Sequence, residues 1–147
     1  MRNAEKSAAT VDIATGGVAY EWMLARHRDN MAAKGFSAVD PAMLRALRAA
    51  APATVTVFRM MLGEVPVAGM SVVSFGTTCE YHIGWFGPEG RKLNAGNFLM
   101  WAVLREMKRR GLASFDVGGL KPGDGYTRFK QTMKPVEYEL CGEWMSF

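Results

Sequence analysis

The chain is poor in the residue types that build metal centres, disulfide frameworks and hydrolytic triads. It has two cysteines and two histidines among 147 residues. Cys79 and Cys141 lack the spacing of a metal site, so we expect two reduced, buried thiols and no bound metal. His27 falls on an apolar helix face, where a structural role is expected. With no Ser/His/Asp order, zinc motif or nucleotide P-loop, the sequence does not support a metalloenzyme, a triad hydrolase or a P-loop nucleotidase.

Long apolar runs are also lacking. No segment approaches the ~20 residues that a membrane span requires. The first six residues are charged and have no apolar core of the kind found in signal peptides, so a cytoplasmic location is expected. The composition, 49% hydrophobic and 22% charged, is typical of a globular protein. We expect one domain over residues 1–147, with residues 1–8 as a flexible lead-in.

Charge of one sign is in modest excess, with a formal net charge of +4. This excess favours an anionic partner, and phosphate-bearing cofactors, tRNA and nucleotide-linked substrates all fit it. An RNA-binding module is disfavoured because basic residues and aromatics are not interleaved. No DNA partner is expected.

Apolar periodicity and turn residues predict the order β-αα-βββ-α-β-α-β. Such an order indicates an α/β (α+β) fold, a mixed sheet with helices on its faces. Asp40-Pro41 is a strong helix start, and on that helix Met43, Leu44 and Leu47 are predicted to face inward. The predicted strands are 9–14, 54–62, 65–75, 79–86, 114–117 and 136–144, and the other predicted helices are 18–34, 97–110 and 125–132. On the helix over 97–110, the predicted buried stripe is Met100, Val103, Leu104 and Met107.

The stretch from Phe115 to Lys130 reads as a site. An apolar strand runs into Gly118-Gly119, then a glycine-rich turn, then a basic segment that ends in Phe129-Lys130. Glycines there let backbone N–H groups approach a ligand closely. A lysine at the far side of the turn can face developing charge.

The element order is that of the GNAT acyltransferase fold. The segments NFLMWAVLREMKRRGLASFDVGGL and GYTRFKQTMKPVEYELCGEW resemble the second GNAT-like domain of the FemAB/FemX aminoacyltransferases of bacteria. That resemblance implies transfer of an amino acid from aminoacyl-tRNA to the peptide stem of a peptidoglycan precursor. The family enzymes carry two such domains, whereas this chain has one. After Phe129-Lys130 they continue with a Gly-Phe-Gly-like turn, where this chain has residues 131–135, QTMKP.

The resemblance implies roles for residues of the glycine-rich stretch. Lys130 would lie where ester and acceptor amine meet and would stabilise the oxyanion. Asp116 would orient the amine, and the two glycines would admit an extended peptide or the pantetheine arm of coenzyme A. Phe129 would pack under the substrate. A purely structural explanation is also open for both residues. Lys130 would then be a surface lysine that follows a core phenylalanine, and Asp116 would cap the next turn. The predicted substrate-binding residues are Gly118, Gly119, Arg128, Phe129, Glu80 and His82.

The loop from Arg91 to Gly96 precedes the long helix. Coenzyme-A-dependent GNAT enzymes place an Arg/Gln-x-x-Gly-x-Gly/Ala loop there, whose N–H groups bind the pyrophosphate. Here Asn94 replaces the first glycine, and asparagine tolerates the left-handed conformation. Asn97 either joins this cofactor site or simply caps the helix.

Acid and base candidates complete the predicted site. Tyr126 lies near the position where many GNAT enzymes carry a tyrosine acid, although core packing explains it equally well. Glu80 and His82 alternate on one strand face, and either one could deprotonate an amine. A strand with a half-buried polar face and no catalytic role would show the same alternation of Glu80 and His82.

The leading hypothesis is a FemAB-like enzyme that moves an activated acyl or aminoacyl group onto the amine of a small molecule or peptide. No tightly bound cofactor is expected, and the co-substrate is acyl-coenzyme A or aminoacyl-tRNA. The alternative is a lone, non-catalytic GNAT-like domain that binds a partner or forms a homodimer.

Overall fold

The chain folds around a mixed five-stranded sheet. The computed structural model describes residues 8–36, 38–120, 123, 125–140 and 142, and of Tyr126 only the backbone. Two compact units divide at Asp116. The first unit holds β1 (Thr10–Ala14), α1 (Gly17–Lys34), α2 (Pro41–Ala50), β2 (Val55–Leu62), β3 (Val65–Phe75), β4 (Thr78–Phe86), α3 (Pro88–Lys92), α4 (Ala95–Arg109) and β5 (Ser114–Asp116). The second holds α5 (Gly125–Gln131).

The strands lie in the sheet in chain order, β1-β2-β3-β4-β5. The first four are antiparallel to their neighbours, and β5 is parallel to β4. Gly63 and Gly76 close the two tight turns of the meander with φ angles of 58° and 56°, a conformation that tight hairpins favour. The predicted α/β class with a mixed sheet is therefore confirmed.

Helix α1 lies close against one face of the sheet because Gly69 has no side chain. A Cβ atom at Gly69 would lie 2.5 Å from Cζ3 of Trp22. The Trp22 ring meets the Trp85 ring edge to face, with centroids 5.7 Å apart. On its other side the Arg59 guanidinium lies 5.8 Å from the Trp22 centroid and donates to Asp12 at 2.7 Å. The contacts around Trp22 therefore link α1 to all four antiparallel strands, β1 to β4.

Helix α4 covers the opposite face. Its buried residues are Ala95, Leu99, Met100, Val103 and Met107. Leu104, which was predicted to be buried, is only half-buried. At the end of the helix Arg110 donates to the hydroxyl of Thr56 at 2.9 Å. Hydrogen bonds from Arg109 and Arg110 lower the pKa of Glu106 to about 2, so this carboxylate anchors the helix end.

Helix α2 begins as predicted but turns a different face inward. The Asp40 carboxylate accepts a hydrogen bond from the amide of Ala42. Of the three predicted inward residues only Leu44 is buried; Met43 is 68% and Leu47 38% exposed. The prediction for those two was wrong. In the observed orientation Leu44 is buried in the core cluster under α1 and Arg45 pairs with Glu21 of α1, so the apolar stripe of this short helix is only partly covered.

The prediction of a last strand was wrong, and one of the two alternatives for Asn97 is excluded. The described part of the last predicted strand, residues 136–140 and Gly142, belongs to no strand; Cys141 and residues 143–144 lie outside the described residues. Alternation predicts a strand face only where something covers it, and Val136 is 91% exposed. Asn97 does not cap the long helix, because α4 begins at Ala95 with Asn94 as its N-cap residue. None of the described helices has the length and apolar character that crossing a membrane requires.

Helix α2 offers a matched test of the packing. Leu44→Ala should lower the free energy of unfolding by about 2–5 kcal/mol, because it removes a buried side chain and leaves a cavity. Met43→Ala, one residue away and exposed, should change it by less than about 0.5 kcal/mol. Urea unfolding followed by circular dichroism measures both. Equal effects of the two variants would contradict the observed orientation of α2.

Candidate active site

Strands β4 and β5 are paired over only three residue positions. Thr78 to Glu80 pair with Ser114 to Asp116, and among the described residues no strand continues along that edge of β4. From His82 to Phe86 that edge of β4 therefore has no neighbouring strand within the part of the chain that the structure describes. Such an edge can pair with an extended ligand by backbone hydrogen bonds.

A β-bulge lies where the two strands part. Val72 of β3 is opposite Tyr81, but Ser71 is opposite Ile83, so His82 is the extra residue. Bulges are frequent next to active sites, where they redirect a side chain. The bulge interrupts the simple alternation from which Glu80 and His82 were predicted to share a face, and the sequence did not predict it.

Burial affects the protonation of both histidines of the chain. His27 of α1 is 8% exposed, and burial lowers its pKa, while a hydrogen bond with the Val39 backbone acts to raise it. Burial also lowers the pKa of His82, and the nearby charge of His27 lowers it further. The Nε2 atom of His82 is buried and has no hydrogen-bond partner among the described residues. Both imidazoles are therefore harder to protonate than a free imidazole.

The start of α4 forms the second part of the site. Asn94 has the left-handed conformation, with φ 55° and ψ 41°, and no described side chain caps the helix. The first-turn amides, including those of Gly96 and Asn97, therefore have no described side-chain cap, and the positive end of the helix dipole lies at this end of α4. Arg91 precedes them in α3, not in a loop as predicted, and its Nε donates to the Phe86 carbonyl at 2.9 Å.

Helix α3 itself was missed by the sequence analysis. Its signal was Gly87-Pro88, since proline is favoured in the first helical turn. Gly90 of this helix is buried, and a Cβ atom there would lie 2.6 Å from the Val67 carbonyl oxygen. This close approach fixes the segment before α4 against β3.

In the second unit, Lys130 and the double glycine are joined. Gly118 has a φ of 74°, the positive range that favours glycine. Lys130 is 9% exposed, and its Nζ donates to the Gly119 carbonyl oxygen at 2.7 Å. The two ends of the predicted motif are therefore in contact.

The remaining predicted residues are placed as follows. Within the first unit, Glu80 and Asp116 are register partners at the last pair of β4 and β5. Within the second, Arg128 is exposed and Phe129 half-buried on α5. The backbone of Tyr126 lies in α5, and its side chain is outside the described residues. Among the described residues no group of three or more His, Cys, Asp or Glu side chains is arranged to hold a metal.

The chain matches a known protein family over most of its length. Residues 1–131 match the model of the acetyltransferase (GNAT) domain family. The chain belongs to the GNAT acetyltransferases. The superfamily suggested by the element order is thus confirmed. None of the curated proteins matches the sequence significantly.

Solved structures share the GNAT fold along nearly the whole chain. An aminoglycoside acetyltransferase, meta-AAC0020, from an uncultured soil metagenomic sample and in complex with sisomicin, has a TM-score of 0.69 at 17% identity, with 98% of this chain and 99% of that chain covered. AAC(6')-Iy, in complex with a coenzyme A bisubstrate analogue, has a TM-score of 0.64 at 12% identity, with 96% and 99% covered. Ard1 from Thermoplasma volcanium has a TM-score of 0.67 at 14% identity, with 90% and 85% covered. At these identities the likeness establishes the GNAT fold alone.

The histidines predict how stability depends on pH. Their pKa values in the folded chain lie below the ordinary 6.5, so the unfolded chain binds protons more readily as the pH falls. The free energy of unfolding should therefore decrease between about pH 7 and pH 5, a window above the titration of ordinary carboxylates. Urea unfolding at several pH values measures the slope, which His27→Gln should reduce. A flat profile would contradict the burial of the two rings.

Lys130 allows a test of its two alternative roles. Lys130→Met keeps the stem but leaves the Gly119 carbonyl without this donor, which should cost about 1–3 kcal/mol of unfolding free energy. If the lysine also stabilises the oxyanion, kcat should fall by about 100-fold or more. Lys134→Met is the matched control, since Lys134 is an exposed lysine of the same unit. Unchanged kcat in a folded Lys130→Met variant would exclude catalysis by Lys130.

Proposed function

We propose that this GNAT protein is an acyl-coenzyme-A-dependent N-acyltransferase whose acceptor is an amine. The observation that carries the proposal is the parting of β4 and β5 at Glu80 and Asp116, next to a bulge. An extended thioester arm fits along the open edge of β4, and an amine fits beside the two carboxylates. The family match to the acetyltransferase (GNAT) domain supports acyl transfer.

The residues at the start of α4 fit a phosphate-bearing donor. The left-handed Asn94 leaves the first-turn amides without a described side-chain cap, and helix N-termini of this kind bind anions. Arg91, held against the Phe86 carbonyl, adds positive charge on the preceding helix. Acyl-coenzyme A, when bound, supplies the thioester carbonyl that the amine attacks. The bisubstrate analogue in the complex of AAC(6')-Iy supports this choice of donor.

The acceptor end of the site favours a cationic amine. Glu80 and Asp116 are register partners at the last pair of β4 and β5, so two carboxylates lie at neighbouring strand positions. Carboxylates attract and orient an ammonium group before it loses its proton. The sisomicin complex of meta-AAC0020 supports the amine class, because that relative acts on aminoglycosides.

Catalysis in this proposal rests on alignment and charge stabilisation. The amine nitrogen attacks the carbonyl carbon directly, and no covalent intermediate on the protein is needed. Backbone N–H groups of β4 beyond Glu80 are donors for the developing oxyanion, a contribution typically worth several kcal/mol. Glu80 and His82 are the two candidates for the base that deprotonates the amine.

An aminoacyl-tRNA donor of the FemAB type is the second candidate. It is favoured by the contact between Lys130 and Gly119, which joins the two halves of the motif that carries that resemblance. The net charge of +4 also suits tRNA. A peptidoglycan-type peptide amine would then be the acceptor.

The donor is tested by thermal unfolding with acetyl-coenzyme A. Ligand at about 100 times its Kd should stabilise the protein by about 2.7 kcal/mol and raise Tm. Asn94→Gly permits the left-handed backbone and should keep the Tm shift. Asn94→Val, with a β-branched side chain, should weaken binding about 5-fold to 150-fold, because strain of about 1–3 kcal/mol opposes the left-handed conformation that the site requires. No shift for the wild type would contradict coenzyme A as the donor carrier and leave charged tRNA as the next ligand.

A further inference from the structure

Helix α2 presents an apolar surface to solvent. Its sequence, PAMLRALRAA, contains two polar side chains, Arg45 and Arg48, and its one buried residue is Leu44. The other exposed residues of the helix are alanine, methionine and leucine. Contiguous apolar surface of this kind marks a place where a protein associates with something else.

Four of these exposed residues form a single stripe, which we call the α2 face: Met43, Ala46, Leu47 and Ala50. With 3.6 residues per turn, they span about 100° of the helix circumference. This is the width of the stripe by which an amphipathic helix packs on a neighbour. All four are exposed, and Met43 is 68% exposed. The described residues therefore leave uncovered a surface that has the pattern of a packed one.

The two arginines of α2 are held on the opposite side of the helix. Arg45 donates to both carboxylate oxygens of Glu21 at 2.8–3.0 Å, and Arg48 donates to the Thr15 carbonyl oxygen at 3.0 Å. Helical geometry places both arginines about 140–160° away from Met43 around the axis. The α2 face therefore has no charge of its own, so it offers nothing to recognise an acidic protein, a nucleic acid or an anionic lipid surface.

The order of large and small residues along the α2 face is complementary to itself. When a second α2 lies antiparallel to the first, Met43 comes opposite Ala50 of the second copy, and Leu47 comes opposite Ala46 of the second copy. Each large side chain then faces a methyl group, which is the alternation by which packed helices interdigitate. A two-fold axis forms each of these contacts twice.

We propose that the α2 face is an interface between two copies of this chain, which pair antiparallel about a two-fold axis beside Ala46 and Leu47. The inference goes beyond acyl transfer and does not depend on the donor or the acceptor. A helix of this length is about 15 Å long, so the contact lies at the low end of the sizes of specific interfaces. The dimer is therefore weak and reversible, with a Kd in the micromolar range.

Sedimentation velocity over about 1–300 μM protein tests the interface. The wild type should pass from monomer to dimer across this range. Met43→Glu should raise the Kd of the dimer about 10-fold or more, because two carboxylates would be buried against methyl groups without a partner. Val65→Glu is the matched control, since Val65 is an apolar residue of β3 with a similar exposure, 62%; it should leave the Kd unchanged.

A second substitution tests the antiparallel pairing. In Met43→Glu/Ala50→Lys, the new carboxylate of one copy lies opposite the new ammonium group of the other, and the two-fold axis forms this ion pair twice. Within one helix the two positions are seven residues apart, too far for an i,i+3 or i,i+4 pair. The Kd should therefore fall about 5-fold or more relative to Met43→Glu. Met43→Glu/Ala49→Lys, which has the same net charge but places the lysine outside the α2 face, should not recover this affinity.

Hydrogen–deuterium exchange tests the interface on the unmodified chain. The amides of α2 should exchange more slowly at high than at low protein concentration, because association opposes local opening of this helix. The amides of α4 should show no such dependence. This measurement also applies if a variant fails to fold.

The proposal is overturned if the wild type stays monomeric up to the highest concentration. It is also overturned if Met43→Glu and Val65→Glu have equal effects on a dimer, because another face then forms the contact. If Ala49→Lys restores the affinity of Met43→Glu as well as Ala50→Lys does, the antiparallel pairing is wrong. None of these measurements involves acetyl-coenzyme A or turnover, so they remain decisive if the proposed function fails.

Discussion

Contact between the Trp22 indole and the bare backbone of Gly69 is the constraint on which much of the first unit depends. It sets how near α1 comes to the sheet, because any larger residue on β3 would hold the helix away. At this distance Trp22 and Arg26, one helical turn apart, both reach Trp85. The next residue along the helix is His27, whose charge lowers the pKa of His82 on β4. A missing side chain thus allows this face of the helix to pack directly on β3 and β4.

Strand β3 supports both ends of the candidate site. At one end its register with β4 slips between Ser71 and Val72, which creates the bulge. At the other its Val67 carbonyl lies against Gly90 and holds the segment that leads into α4. The proposed acceptor region and the proposed donor region are therefore both held by one central, buried strand. A rigid element of this kind keeps two ligands at a fixed separation, as direct transfer between them requires.

Periodicity and turn chemistry were sufficient for most of the framework but not for features that depend on contacts distant in sequence. Neighbouring residues were enough to predict the β2-β3-β4 meander and the helix start at Asp40-Pro41. They were also enough to predict that Asn94 tolerates the left-handed conformation. The bulge could not be predicted in this way, because it arises from the relation between two strands. The exposure of Met43 depends on how α2 packs on α1, where Arg45 pairs with Glu21, and this relation between two helices is not visible in the local pattern. The strand predicted over residues 136–144 failed in its described part because alternation says nothing about whether a partner strand exists.

The placement of the histidines affects how the folded chain takes up protons. Histidine is the side chain that ordinarily changes charge between about pH 5 and pH 8, and here one histidine is buried and the other half-buried. Burial lowers the pKa of both rings, so the folded chain takes up fewer protons from its two histidines in mild acid than two free imidazoles would. The buffering capacity of these histidines in that interval is therefore smaller than the composition of the chain implies.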